Sequence, residues 1–334
     1  MGALCFVFGL TFVAVFAPAI VGSKPIYCRY KGSNYFPAFD YFSSSWNYPI
    51  FQDDQLDNFG PIELKDKDPD SWGIWPIIYQ DPARAILENE WPGQPENDRG
   101  TDGSPSRYSL FGTTTIGLDV FAQMVHGTRI SLLVGFLSTG IAALIGIPLG
   151  ALAGFFRGWI DIVISRLIEV VLCIPTLVLI LALVAIIEKP TIWHIMAIIG
   201  FTSWTSIARL TRAEFLRLRE SEFVTAARAL GVGQTRIMFR HILPNALAPV
   251  LVPITFGISS AILIESALSV LGIVTSPDTP SWGTLLNEGS SNFQTMWWMI
   301  VFPGLAIFLS VLAYNIIGEG LQEATDPRLR EAGK

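Results

Sequence analysis

The sequence predicts an all-α integral membrane protein with six transmembrane helices. Of its 334 residues, 51% are hydrophobic and only 15% are charged, and the mean hydropathy is +0.47. A chain of this composition has too little polar surface to fold as a water-soluble globule. Its apolar residues also lie in runs long enough to cross a hydrocarbon core, which takes roughly 20 helical residues. Both observations place most of the chain in a lipid bilayer.

Six apolar stretches are predicted to form the transmembrane helices. They cover residues 3–21, 130–156, 162–187, 192–210, 246–271 and 297–318. Ala17, Pro18 and Ala19 resemble the small residues of a signal-peptide cleavage site, so the first stretch has an alternative reading. We favour a retained helix, because no basic residue follows Met1 and the uncharged stretch is long enough to span. The missing basic leader also leaves open a start codon further upstream.

The distribution of arginine predicts the side of the membrane on which each loop lies. Residues 211–245 contain six arginines against three glutamates, an excess typical of a short cytoplasmic loop. Counting outward from this loop gives a first helix (1–22), an extracytoplasmic insert (23–111), a five-helix core (112–318) and a cytoplasmic tail (319–334). The cytoplasmic loop 211–245 lies within the core.

The predicted extracytoplasmic segment is acidic and rich in aromatic residues. Residues 24–129 contain fifteen acidic and nine basic side chains, which explains most of the net charge of −6. Such a charge implies no nucleic-acid-binding surface. Aromatic residues at the density of Trp72 to Pro76 favour a small folded cap over a disordered linker. An ordered loop with no function of its own is the alternative.

The sequence contains no pattern that predicts chemistry on this chain. Its cysteines and histidines are Cys5, Cys28, Cys173, His126, His194 and His241. Only one cysteine lies in the insert, so no disulfide is expected within it, and the histidines lack the spacing of a metal site. A phosphate-binding G-x-x-x-x-G-K-[ST] loop and the common hydrolase motifs are missing from the sequence. We predict no catalytic residues and no bound cofactor, so any ATP would be hydrolysed by a partner.

The loop 211–245 contains an amphipathic helix that is suited to docking. Phe223, Ala226, Ala227 and Leu230 follow the i, i+3, i+4, i+7 spacing of one helix face. Ser221 is predicted to cap this helix, and Gly231 or Gly233 to end it in a positive-φ turn. A second short helix is expected over residues 234–242, with Pro244 as the break before the fifth span.

The same loop carries a resemblance to a known family. Residues 222–245 read EFVTAARALGVGQTRIMFRHILPN, which resembles the EAA loop of permease subunits of bacterial ABC importers, in the dipeptide/oligopeptide branch. Similar family-like stretches are 127–135 (GTRISLLVG), 264–272 (IESALSVLG), 280–283 (PSWG) and 326–330 (DPRLR). The aromatic insert is reminiscent of the subgroup related to microcin C and oligopeptide uptake.

The resemblance implies a fold, a location and a set of partners. It implies the type I importer permease fold in the bacterial inner membrane, with a second homologous permease, an extracytoplasmic solute-binding protein and two cytoplasmic ATPases that bind ATP and Mg. The residues that it assigns to ATPase coupling are Glu222, Phe223, Thr225, Ala226, Ala227, Leu230, Gly231, Leu243 and Pro244. Bulky substitutions at Gly231 are predicted to uncouple ATP hydrolysis from uptake.

The sequence departs from the family pattern at three positions. Thr225 stands where the family commonly has Glu. Residues 112–120 read GTTTIGLDV and resemble G-T-D-x-x-G-R-D-V, with Thr114 for Asp and Leu118 for Arg. The charge pairing of that motif is therefore in doubt in this chain.

Charged, proline and glycine residues within the spans give further hypotheses. Arg166 and Glu169, three residues apart, are interpreted as a structural ion pair. Glu265 is interpreted as bordering the translocation pathway, with packing or hydrogen bonding between helices as the alternative. Pro175 marks a kink or a local adaptation. The glycines Gly135, Gly140, Gly146, Gly150 and Gly154 suit close helix contacts, either within the chain or across a dimer.

Two functions outside this family remain as alternatives. An ion-driven secondary transporter would take up its substrate without ATP, and a membrane receptor or scaffold would bind a different partner through the cytoplasmic loop. A convincing inverted repeat of broken helices, typical of secondary transporters, is missing from the sequence. The substrate itself is not encoded in any motif of this chain.

Overall fold

The computed structural model describes residues 1–42, 60–85, 103–107, 109–273 and 280–325. The helices in these ranges are α1 (Gly2–Ile20), α2 (Pro61–Lys67), α3 (Val120–Phe156), α4 (Gly158–Leu172), α5 (Thr176–Val184), α6 (Ile192–Arg219), α7 (Glu222–Ala229), α8 (Gln234–Arg236), α9 (Leu243–Val270), α10 (Trp282–Ser291) and α11 (Trp298–Thr325). The strands are β1 (Tyr27–Tyr30), β2 (Ser33–Tyr35) and β3 (Trp72–Ile74). The tail motif 326–330 lies outside the described residues.

The membrane-spanning helices agree only partly with the six predicted spans. By length and composition, four described helices are apolar enough to cross a membrane: α1, α3, the continuous helix Gln234–Val270 and α11. Helices α4 and α5 give a fifth if they count as one span, although they are bent by 83°. The predicted span over 162–187 is therefore broken into two helices, and the kink expected at Pro175 is confirmed. Pro175 stands at the break, where a missing N–H and a bulky ring prevent continuation of the helix.

Helix α6 covers the predicted fourth span, yet it is not among these apolar helices. Its middle carries a group of hydroxyl side chains that lower its hydropathy: Thr202, Ser203, Thr205 and Ser206. The helix is nevertheless well packed, and residues such as Ile199, Ile207 and Phe215 are almost completely buried. Its polarity therefore belongs to an interior helix.

The chain divides into two compact units. One unit contains Leu133–Ala267 and the described part of α11 from Phe308. In this unit α3 packs directly against α6. The contact is so close that a Cβ atom at Gly146, Gly150 or Gly154 would clash with the backbone of α6. The carbonyl oxygens concerned are those of Trp204, Ala208 and Arg212. The glycine row thus makes a close helix contact within the chain.

The other unit contains Phe8–Leu132 and Leu268–Ile307, and it includes a small sheet that an all-α prediction missed. Its strand order is β2-β1-β3, with antiparallel pairing throughout. Buried Cys28 and Tyr30 of β1 pack with Leu64 of α2. The described part of the insert is therefore folded around its own hydrophobic core.

A buried polar network holds the described insert to α3. The Asp81 carboxylate accepts hydrogen bonds from the hydroxyls of Ser23 and Tyr41, the latter at 2.6 Å. Burial raises the pKa of the Tyr41 phenol well above its usual value, and the Asp81 charge raises it further. The Arg129 guanidinium of α3 donates to the backbone carbonyls of Tyr41 and Phe42 at 2.8 and 2.9 Å.

The end of α1 is an integral part of the same unit. Ala17 and Val21 are completely buried and pack with Ala122 and Val125 of α3. The Nε2 atom of His126 lies 2.8 Å from the carbonyl oxygen of Val21. The stretch that resembles a cleavage site is thus packed into the fold, and the retained first helix stays a prediction.

The turn before α3 closes without the Asp and Arg that the family pattern has at positions 114 and 118. The Thr114 backbone N–H donates to the Leu118 carbonyl at 2.8 Å, and the Leu118 N–H donates to the Thr114 hydroxyl at 3.1 Å. Asp119 then accepts the Ala122 N–H at 2.7 Å and caps α3. A neutral threonine therefore supplies the turn's side-chain acceptor.

Candidate functional site

Helix α7 ends in a Schellman motif at the glycine that the sequence singled out. Gly231 has φ of +76°, its N–H donates to the Arg228 carbonyl at 2.9 Å, and the Val232 N–H donates to the Ala227 carbonyl at 3.1 Å. Gly233 has φ of −63°, so only the first glycine needs the left-handed conformation. Val232 packs against the core beneath α7, as this motif usually requires.

The apolar residues of α7 lie on two sides of the helix, one buried and one exposed. The predicted docking face combined residues from both sides. Val224 is completely buried and Ala227 is nearly so, and both join the core cluster beneath the helix. Phe223, Ala226 and Leu230 are exposed, with Leu230 at 83%. The predicted face is therefore wrong at Ala227, which anchors the helix instead of forming its outer surface.

The first turn of α7 shows how the helix begins. Ser221 occupies the N-cap position, but its hydroxyl donates to the Leu218 carbonyl at 2.5 Å and accepts no N–H. The prediction of a serine side-chain cap is thus wrong. Glu222 is exposed in the first turn, where a negative charge is favourable at a helix N-terminus. The Thr225 hydroxyl, where the family has a carboxylate, donates to the Ser221 carbonyl at 3.2 Å.

Pro244 does not break the helix, contrary to the prediction. Residues Ile237–Ile242 form a wider π-helical turn, in which the Leu243 N–H donates to the Met238 carbonyl. This turn continues directly into α9, and Pro244 is exposed near the start of that helix. A proline crowds the carbonyl four residues earlier, and the wider turn accommodates it. Leu243 packs against the core cluster, and the second helix and the fifth span form one continuous helix, Gln234–Val270.

This loop exposes several apolar side chains together with basic ones. We call the apolar side chains the coupling patch and define it by Phe223, Ala226, Leu230 and Phe239, of which Phe239 is 56% exposed. Arg228, Arg236 and Arg240 are exposed on the same loop. Such a surface suits a protein partner that offers an apolar groove with acidic residues at its edge.

Three polar contacts missed by the sequence fix the end of α6 to the turn between α3 and α4. Asp161 of α4 forms a two-pronged ion pair with Arg212 of α6, with N–O distances of 2.5 and 2.8 Å. Arg219 donates to the Phe155 carbonyl at 2.5 Å, which satisfies the C-terminal end of α3. These residues are more than 50 positions apart in sequence, so no local pattern could reveal them.

The third contact between the end of α6 and the turn between α3 and α4 lies where the backbone has an unusual conformation. Arg157 pairs with Glu220 at 2.9 Å, directly before α7 begins. Arg157 and Gly158 adopt φ of +56° and +62° in succession, which is unusual for a residue with a side chain. The turn between α3 and α4 is therefore held in a specific conformation against the start of α7.

Arg166 and Glu169 do form the pair that the sequence suggested. Their side chains meet at 2.6 Å along α4 and are 76% and 57% exposed in the chain. An exposed pair of this kind contributes at most about 1 kcal/mol in water. Its structural role stays a prediction.

Glu265 is completely buried within the chain, on α9. Burial in the isolated chain gives more support to packing or hydrogen bonding than to a place on an open pathway. Its proposed place on the pathway stays a prediction. Among the described residues, no group of three His, Cys, Asp or Glu side chains is arranged to hold a metal ion.

Comparisons with known proteins match this chain to transport permeases. A sequence model described as "binding-protein-dependent transport system inner membrane component" matches residues 146–331, more than half of the chain. The dipeptide transport system permease protein DppC of Alkalihalophilus pseudofirmus is 40% identical over 68% of this chain and 74% of its own length. The di/tripeptide transport system permease protein DppC of Pseudomonas aeruginosa is 42% identical over 69% of this chain and 76% of its own length.

A third relative is similar over almost the whole chain. The peptidoglycan transport system permease protein YejE of Agrobacterium fabrum is 34% identical over 96% of this chain and 87% of its own length. The match therefore reaches into the insert, beyond the two thirds that the dipeptide permeases cover. On these comparisons, the chain belongs to the family of binding-protein-dependent transport system inner membrane components.

Proposed function

We propose that this chain is a permease subunit of an ABC importer for peptides, with six membrane crossings and a cytoplasmic C-terminus. The observation that carries the proposal is the coupling patch, which includes the exposed apolar side of a helix whose buried side packs on a hydrophobic cluster with α3 and α6. A loop that only connected two helices would need no such anchoring. In a family of transport permeases, the patch is the natural contact for an ATPase.

The energy source and the partners follow from the same proposal. The sequence contains no phosphate-binding loop, so two cytoplasmic ATPase subunits bind ATP and Mg and hydrolyse the ATP. Closure of these subunits on ATP moves the patch, and the rigid connections of α7 carry that movement to α6 and α9. A second homologous permease completes the pathway, and an extracytoplasmic binding protein delivers the substrate.

The substrate class comes from the relatives. Two of them are named for dipeptide and di/tripeptide transport, and the one that matches over 96% of this chain is named for peptidoglycan transport. Because that relative also matches the insert, we favour peptides derived from peptidoglycan within the broader peptide class. The folded insert then lies on the side where the binding protein docks.

Purification from the native membrane followed by reconstitution tests the proposal. The protein is isolated in mild detergent and placed in proteoliposomes with ATP on the side of the coupling patch and labelled peptides with the binding protein on the other. We expect two ATPases and a sibling permease to copurify, and uptake to require ATP. Recovery of the chain alone, or uptake that follows an ion gradient without ATP, would support the receptor or secondary-transporter alternatives instead.

A further inference from the structure

The unit that contains Leu133–Ala267 has an open cavity of about 390 Å³ between α3, α4, α5, α6 and α9. Six of the hydroxyl side chains around it are Thr139, Thr176, Thr202, Ser203, Ser206 and Ser260. The lining residues that the structure describes include no Asp, Glu, Lys or Arg. The cavity is therefore uncharged, and its hydroxyl groups are set among apolar side chains such as Ile199 and Phe256.

The hydroxyls of this cavity fall into two groups. Thr202 is buried and donates to the Ile198 carbonyl of its own helix at 2.9 Å, the usual way in which a hydroxyl is satisfied inside a membrane helix. Thr176, Ser206 and Ser260 are exposed within the chain and line the cavity instead. Polar groups at membrane depth avoid lipid and face protein or a polar cavity. This second group therefore offers hydrogen bonds to whatever enters.

The break between α4 and α5 opens onto the same cavity. Leu172 and Thr176, on either side of the break, both line it. The first N–H groups of a helix have no partner within that helix, so the start of α5 supplies further donors. Broken helices at membrane depth are tolerated where they line a cavity, and in transporters they often mark the substrate site.

We propose that this cavity binds the backbone amide groups of a peptide during its passage, without recognising the charge of the peptide side chains. The inference rests on the proposed function and adds the chemistry of the contact. A hydroxyl both donates and accepts, as the N–H and C=O of an amide require. The volume lies within the roughly 300–1,000 Å³ of small-molecule sites. A pathway for peptides of varied sequence has to contact what they share, which is the backbone.

Glu265 is not part of this contact. Its neighbour Ile264 lines the cavity, but the Glu265 side chain is completely buried and is not among the lining residues. The cavity therefore places substrate contact on neutral hydroxyls of α5, α6 and α9. The carboxylate that the sequence suggested lies one residue along α9 from this wall.

The test uses the complete importer complex in proteoliposomes and three dipeptides of similar size, which are neutral, cationic and anionic. Thr176→Val keeps the shape of the side chain but removes its hydroxyl, and Ser206→Ala removes a second hydroxyl. We expect each change to lower uptake about three- to tenfold, the worth of a typical hydrogen bond, and by the same factor for all three peptides. Thr176→Ser restores the hydroxyl and should recover most of the uptake.

The outcomes separate this inference from the proposed function. If the wild-type complex takes up peptides with ATP but both variants equal it, the cavity proposal is wrong and the proposed function stands. The cavity proposal is also wrong if the variants lower the uptake of only one of the three peptides. It is wrong as well if the second permease no longer copurifies with a variant, because the hydroxyls then contact that subunit. A wild-type complex that shows no ATP-driven uptake of any peptide overturns both.

Discussion

Gly231→Val is expected to lower the uptake coupled to each ATP hydrolysed by roughly 5- to 30-fold, while Gly233→Val leaves it close to wild type. Beyond the adjacent residues, neither glycine has an atom within 4 Å of the position that a Cβ would take, so neither change clashes with a neighbouring element. Only Gly231 has a positive φ, at +76°. A β-branched residue in that conformation is a strong outlier, and left-handed backbone costs ordinary residues roughly 1–2 kcal/mol. The Schellman turn that orients α7 should therefore open.

An asparagine at the same position controls for side-chain size. Asn tolerates the left-handed region better than most residues, so Gly231→Asn should retain more coupling than Gly231→Val although both add a side chain of similar bulk. The measurement is the number of peptides taken up for each ATP hydrolysed in the reconstituted complex. Equal coupling ratios for Gly231→Val and Gly233→Val would show that the turn geometry does not matter.

Asp161→Asn is the second substitution with a large expected effect. Asp161 and Arg212 are only 18% and 32% exposed, and their two-pronged contact joins α4 to the part of α6 that leads to α7. Hydrogen bonds between charged groups contribute about 1.5–3 kcal/mol, and partial exposure reduces this to roughly 1–2 kcal/mol. A loss of this size at a coupling element corresponds to a roughly 5- to 30-fold fall in uptake for each ATP hydrolysed.

Glu169→Gln is the matched control for this change. It also converts a carboxylate of α4 into an amide, but its pair with Arg166 is exposed and lies within one helix. Uptake per ATP and the thermal stability of the Glu169→Gln complex should therefore remain near wild type. If Asp161→Asn behaves in the same way as Glu169→Gln, the corner between α4 and α6 is not part of the coupling route.

The parts of the site that the sequence predicted are those governed by local chemistry. The sequence predicts the left-handed turn at Gly231 or Gly233, because helices commonly end in such a glycine, and the structure has it at Gly231. The error at Ala227 has a physical reason. Helix α7 has apolar residues on two neighbouring stripes, and spacing alone does not tell which stripe faces the core. In the structure, Val224 and Ala227 form the inner stripe, while Phe223 and Leu230 form the outer one.

The parts that the sequence missed depend on long-range geometry. Hydropathy identified 162–187 as apolar but gave no angle, and the 83° bend at Pro175 appears only in three dimensions. The pairing of β1 with β3 joins residues such as Cys28 and Gly73, which are 45 positions apart. The Asp161–Arg212 pair likewise has no signature in either helix alone. The positions of helices are encoded locally in the sequence. The angle of the break at Pro175 and the contact between α4 and α6 depend on tertiary packing.

Crosslinking from the coupling patch tests the central claim most directly. A photoreactive amino acid is placed at Leu230, which is 83% exposed, and in a second protein at Ile77 of the insert, which is 82% exposed. After illumination of native membranes, we expect Leu230 to capture an ATPase subunit with a phosphate-binding loop and Ile77 to capture none. Capture of the ATPase from neither position, or equally from both, would contradict the assignment of this loop as the coupling element.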